Sequence, residues 1–102
     1  MNVAPGVTVD VEDLGAFCRA NGIKQLRLFG SALGENFNAR SDIDLLVEFQ
    51  PGRVPGLVHL SELELELERL LGREVELRTP GDLSRYIRDR VAAESRLLYD
   101  AA

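Results

Sequence analysis

The sequence predicts a single small α/β domain over residues 1–102. It has a mixed sheet, helices on one face and an open acidic face. Three observations predict it. The chain has 102 residues, 45% apolar and 28% charged, which suits one core. Segments of helical and alternating apolar pattern follow one another in the order α-β-α-β-α-β-α. Each strand has one clearly apolar face, so helices can cover one side and leave the other partly open.

Met1 to Thr8 shows no periodicity and contains Pro5-Gly6, which reads as a loose lead-in. A helix follows from Val9, capped by Asp10, with Asp13 near its positive end. Its buried stripe is Leu14, Phe17 and Cys18, and Asn21-Gly22 stops it. On that stripe Cys18 is a core residue rather than a reactive thiol. Lys24 to Phe29 alternates, with Leu26 and Leu28 on one face, and ends at Gly30. Ser31 to Gly34 is a short helical turn, and Glu35-Asn36-Phe37-Asn38-Ala39-Arg40-Ser41 a polar stretch.

A second strand runs from Asp42 to Phe49. Ile43, Leu45, Val47 and Phe49 share one face; Asp42, Asp44, Leu46 and Glu48 share the other. Gln50-Pro51-Gly52 and Pro55-Gly56 break the chain. Leu57 to Leu71 alternates Glu and Leu in part. Its length, the stripe Leu60, Leu63, Leu67, Leu70 and Leu71, and the Gly72 stop nevertheless predict a helix with its glutamates on a solvated face. Glu74 to Thr79 is the third strand, with Glu76 on the face of the acidic pair. After the Pro80-Gly81-Asp82 turn, a last helix carries the stripe Leu83, Tyr86, Ile87, Arg90, Val91, Leu97 and Leu98, which places Tyr86 in the core.

Composition excludes several classes. No run approaches the roughly 20 apolar residues of a membrane span, and no signal-like pattern opens the chain, so the expected location is the cytoplasm with no membrane contact. One cysteine and one histidine make neither a disulfide framework nor a structural zinc site. Seventeen acidic residues against twelve basic ones, a formal charge of −5, disfavour nucleic acid as a direct substrate.

The chemistry lies in Gly30-Ser31, ten further residues, and Asp42-Ile43-Asp44. Glycine lets a ligand approach the backbone where a strand ends. Ser31 opens a turn whose amide groups and hydroxyl can hold phosphate oxygens. Asp42 and Asp44, two apart on a strand, project to one side as hard oxygen ligands suited to Mg²⁺. Glu76, on the same face of another strand, is placed to complete that site or accept a proton from a nucleophile. Arg40 borders the acidic pair within reach of a triphosphate. His59 has no partner for catalysis and reads as a surface residue.

The stretch "LFGSALGENFNARSDIDLLVEF", Leu28 to Phe49, resembles the signature of minimal nucleotidyltransferases of the polymerase-β superfamily. The resemblance continues through "PGRVPGL", "LLGREVELRTP" and "RDRVAAESRLLYDAA". It is similar to the MNT antitoxins of HEPN/MNT toxin–antitoxin pairs, whose Gly-Ser, ten residues, Asp-x-Asp pattern is met by Gly30, Ser31, Asp42 and Asp44. The resemblance implies a nucleotidyltransferase fold and Mg²⁺-dependent transfer of AMP from ATP. It also implies a HEPN ribonuclease toxin as partner, modified in some pairs on tyrosine. Relatives commonly carry Asp in a Val-Asp-Leu context where this chain has Val75-Glu76-Leu77, which moves the carboxylate oxygens by about one carbon–carbon bond. The expected activity is that of an adenylyltransferase antitoxin. The alternative is an antitoxin of the same fold that neutralises by binding. Transfer to a small molecule or an RNA end is disfavoured by the length, which leaves no room for an acceptor-holding domain.

Overall fold

The computed structural model describes residues 1–34, 37, 38 and 40–101, with Ser31 described by its backbone alone. Glu35, Asn36 and Ala39 of the expected polar stretch lie outside the described residues. The elements are β1 (Asn2–Ala4), β2 (Val7–Thr8), α1 (Val11–Ala20), β3 (Ile23–Phe29), a 3-10 turn (Gly30–Leu33), β4 (Ile43–Phe49), α2 (Leu57–Leu71), β5 (Val75–Arg78), a second 3-10 turn (Pro80–Asp82), α3 (Arg85–Glu94) and β6 (Arg96–Asp100).

Four strands form the main sheet in the order β5-β4-β3-β6. The pairs β3/β4 and β3/β6 are antiparallel, whereas β4/β5 is parallel. A parallel neighbour demands a long crossover, and α2 supplies it. The ambiguous alternation at 57–71 therefore resolves as helix. Leu63, Leu67 and Leu71, four residues apart, are its buried residues. They join Leu26, Leu28, Ile43, Leu45, Val47, Val75 and Leu77 of the strands and Leu14, Phe17 and Cys18 of α1 in one core. Burial pushes the Cys18 thiol up to about 12, which keeps it protonated and inert. The Asp10 carboxylate accepts from the amides of Glu12 and Asp13 at 2.9 and 3.0 Å, the expected cap. Among the described residues no helix is long and apolar enough to cross a membrane.

Three expectations need correction. Residues 2–8 are not loose: β1 and β2 pair as a hairpin that buries Val3, Ala4 and Val7. Pro5-Gly6 is the turn between them, with Gly6 at φ 75°, where proline and then a positive-φ glycine favour a tight reversal. The Arg96 guanidinium, donating to the carbonyls of Asn2 and Val3, ties this hairpin to β6.

The last helix stops at Glu94, and Leu97 and Leu98 belong to a strand. Ser95 turns to extended backbone (φ −74°, ψ 158°), and the following residues pair with the free edge of β3, Arg96 opposite Leu28 and Tyr99 opposite Leu26. An unpaired edge offers a row of hydrogen bonds that local helix preference cannot match.

The glutamates of α2 are not all solvated either. Glu68 Oε2 accepts from the Val75 amide at 3.1 Å and Glu64 Oε2 from the Leu77 amide at 2.8 Å. These amides sit on the outer edge of β5, so the alternation of Glu and Leu serves both strand edge and core.

Candidate active site

Strand pairing builds the centre of the site. Phe29, the last residue of β3, lies opposite Asp44 on β4, and Asp44 lies in register with Glu76 on β5. Two carboxylates in register on adjacent parallel strands stand side by side on one face. Gly30 follows Phe29 at φ 77°, a left-handed conformation that favours glycine. A Cβ there would overlap the Asp44 carboxylate, with its Cγ only 3.0 Å away. Gly30 is thus required twice, for its backbone angle and for the space that Asp44 fills.

Asp42 precedes β4 and is exposed. Its strand is anchored just behind it, where the Ile43 amide donates to the Glu74 carbonyl at 2.8 Å. A cleft of about 400 Å³ is lined by Arg40, Ser41, Asp42, Gly72, Arg73 and Glu74, so Arg40 shares a cleft with Asp42, while Asp44 is not part of its lining. The turn leading into Asp42 is shaped by Asn38. Its Oδ1 accepts from the Arg40 amide at 2.8 Å, and its own amide donates to Ser41 Oγ at 3.1 Å. Arg73 clamps this turn from the α2–β5 connection. Its guanidinium donates to the carbonyls of Asn38 (2.8 Å) and Ser41 and lies 4.9 Å from the centre of the Phe37 ring. The sequence reading missed Arg73, because nothing in the spacing of Gly72-Arg73 announces a contact more than thirty residues away.

Glu76 is held by Arg78, whose guanidinium donates to its Oε1. Alternation along a strand puts residues two apart on the same face, so this pair was legible in principle. The guanidinium engages the head of Glu76 and places a positive charge beside the two neighbouring carboxylates. Among the described residues, no group of three or more His, Cys, Asp or Glu side chains is arranged to hold a metal ion. The carboxylates stand instead as the Asp44–Glu76 pair, with Asp42 two positions before Asp44. His59 is exposed and lies 3.4 Å from Glu62, consistent with a surface residue.

Tyr86 is not in the core. It is 80% exposed, and α3 has no buried residue at all. With Ile87, Arg90 and Val91 it borders a groove of about 610 Å³ whose opposite wall includes Gly30 and Leu33.

The description "nucleotidyltransferase domain" belongs to the family that matches residues 14–98. A Methanocaldococcus jannaschii protein, MJ0435, assigned by its name to the protein adenylyltransferases, is 37% identical over 75 residues; these cover 74% of this chain and 78% of that one. A solved structure described as a minimal nucleotidyltransferase superposes with a TM-score of 0.70 at 34% identity, over 84% of this chain and 86% of the other. The fold is also that of a chain in the complex of tri-AMPylated Shewanella oneidensis HEPN toxin with MNT antitoxin (TM-score 0.64, 20% identity, 89% of this chain and 70% of that one). The domain match runs through β3, β4 and β5, the strands that bring Gly30, Asp44 and Glu76 together, and the chain belongs to the nucleotidyltransferase domain family as one of its minimal members.

Proposed function

We propose that this protein transfers AMP from ATP, with Mg²⁺, to a tyrosine hydroxyl of a cognate HEPN ribonuclease toxin and so acts as its antitoxin. The observation that carries the reading is the Gly30–Asp44–Glu76 arrangement: a glycine turn packed against one carboxylate and a second carboxylate in register beside it. The names of the relatives, a protein adenylyltransferase and an MNT antitoxin bound to an AMPylated HEPN toxin, supply the acceptor class.

The donor set suits a hard cation that keeps much of its shell for water and phosphate. Mg²⁺ is typically bound by one or two carboxylates plus substrate phosphates, and Asp42 and Asp44 are the residues that would hold it. When bound, the ion neutralises charge on the triphosphate. The chain's own residues do the rest. The turn after Gly30 presents backbone amides to phosphate oxygens, and Arg40 adds positive charge from the neighbouring cleft. Glu76 accepts the proton of the acceptor hydroxyl, and Arg78 orients it. The hydroxyl oxygen bonds to the α-phosphorus, the bond to the bridging oxygen breaks, and pyrophosphate leaves.

AMP on a tyrosine near the ribonuclease site would put negative charge where RNA phosphates bind. Mass spectrometry of the toxin co-expressed with this protein is expected to show AMP increments on tyrosine, absent with Ser31→Ala. Glutamate rather than aspartate at Glu76, which moves the carboxylate by about one carbon–carbon bond, favours a second reading, neutralisation by binding alone. A toxin silenced without added mass, by the parent and by Ser31→Ala equally, would establish that reading instead.

Glu76 gives a finer test. Glu76→Gln is expected to lower turnover about 10²-fold with little change in ATP affinity, as loss of a general base should. Glu76→Asp, the residue common in relatives, should retain or raise activity. Equal turnover in the parent and the Gln variant would remove Glu76 from the chemistry.

A further inference from the structure

Asp42 lies just outside the sheet, because β4 begins at Ile43. Its placement therefore depends on its two chain neighbours, and consecutive residues of the α2–β5 connection hold both of them. After Asp42, the Ile43 amide donates to the Glu74 carbonyl at 2.8 Å. Before it, the Ser41 carbonyl accepts from the Arg73 guanidinium. The backbone of Asp42 is thus bracketed by Arg73 on one side and Glu74 on the other.

The turn that leads into Asp42 is closed on itself. The Ser41 amide donates to the Asn38 carbonyl at 3.0 Å, and the Asn38 amide to Ser41 Oγ at 3.1 Å. A closed turn can still swing as a unit about the bonds that join it to β4. Two contacts oppose that swing. Phe37 packs against the core, and Arg73 donates at 2.8 Å to the Asn38 carbonyl while lying 4.9 Å from the Phe37 ring centre. A planar guanidinium can serve two carbonyls and a ring face at once, which a compact ammonium does not reproduce. By charge alone Arg73 opposes a cation at Asp42, because it lines the same cleft. Geometry and charge therefore predict opposite effects of removing it.

We propose that Arg73 is a positioning residue for Asp42: it holds the Asn38–Ser41 turn so that the Asp42 carboxylate meets a divalent cation together with Asp44. This rests on the reading that Asp42 and Asp44 hold the cation, and adds to it the side chain that sets one of the two. Groups that orient a metal ligand in this way typically contribute about 10- to 100-fold to metal affinity. The clamp also couples the site to the crossover, since the end of α2 at Gly72 fixes where Arg73 emerges.

Mn²⁺, a paramagnetic stand-in for Mg²⁺, is titrated alone into the parent protein, Asp42→Asn, Arg73→Met and Arg73→Lys, with the free ion read by electron paramagnetic resonance. Methionine removes the charge and both bonds, whereas lysine keeps the charge and loses the fork. Arg73→Met is expected to bind Mn²⁺ about tenfold more weakly than the parent, despite the lost positive charge, and Arg73→Lys about threefold more weakly. Amide hydrogen exchange without added metal gives a second readout. The amides of Asn38, Arg40 and Ser41 should exchange faster in both variants while β3 and β4 keep their protection. Equal or tighter Mn²⁺ binding in Arg73→Met, or parent affinity in Arg73→Lys, would overturn the proposal. Unchanged exchange in the turn would do the same, and so would protection lost throughout β3 and β4, which would make Arg73 a general structural residue. If Arg73→Met does not fold, Arg73→Lys decides alone. A parent that binds Mn²⁺ no better than Asp42→Asn would remove the cation reading itself, and the proposal with it.

Discussion

Replacing Asp42 and Asp44 together by asparagine is expected to lower AMP transfer by more than about 10³-fold while the protein stays folded. Asparagine keeps the shape of aspartate but removes the charge that holds a divalent cation and, through it, the triphosphate. Asp42 is exposed ahead of β4, and Asp44 is half-buried beside Glu76. The side-chain oxygen of asparagine can still accept a hydrogen bond, so the fold should tolerate the change. The melting temperature should therefore move by no more than a few degrees. Initial rates with labelled ATP, Mg²⁺ and the toxin measure the first effect, and thermal unfolding the second. Chelation of the metal from the parent should reproduce the loss of rate. A double variant that still transfers at the parent rate would move the chemistry away from this sheet face; one that fails to fold would make the pair structural.

The parts of this site that could be read from the sequence are those set by local periodicity. Alternation along 43–49 fixes which residues share the face of Asp44, and the positive-φ demand of a strand-ending glycine marks Gly30. What could not be read depends on partners distant along the chain. Arg96 to Asp100 has no strong strand pattern and becomes a strand because the edge of β3 is vacant beside it. Arg73 matters only once α2 has carried it back to the Asn38–Ser41 turn. Glu64 and Glu68 become edge caps because the crossover helix runs alongside β5. Tyr86 was misplaced for a related reason. A stripe at helical spacing says that a face is apolar, not that the core is what it meets.

Gly30→Ala is expected to lower transfer about 10²-fold, and a second glycine allows the cause to be isolated. Gly30 and Gly52 share nearly the same positive φ, 77° and 78°. At Gly52 an added Cβ would meet nothing within 4 Å, whereas at Gly30 it would overlap the Asp44 carboxylate. Forcing a non-glycine residue into this region costs of order 1–3 kcal/mol at either position. Both alanine variants should therefore lose stability by comparable amounts from the backbone alone. Only Gly30→Ala must also displace Asp44 or the turn that carries Ser31, and a shift of about 1 Å at a reacting centre can cost 10²-fold in rate. Chemical denaturation and initial-rate measurements on the two variants separate the effects. Gly52→Ala should be destabilised yet transfer at nearly the parent rate under conditions where it is fully folded. Equal loss of rate in both variants would mean that stability, not the contact with Asp44, governs the Gly30 effect. Full activity in folded Gly30→Ala would mean that the site does not depend on the close packing of glycine and carboxylate on which the proposed chemistry rests.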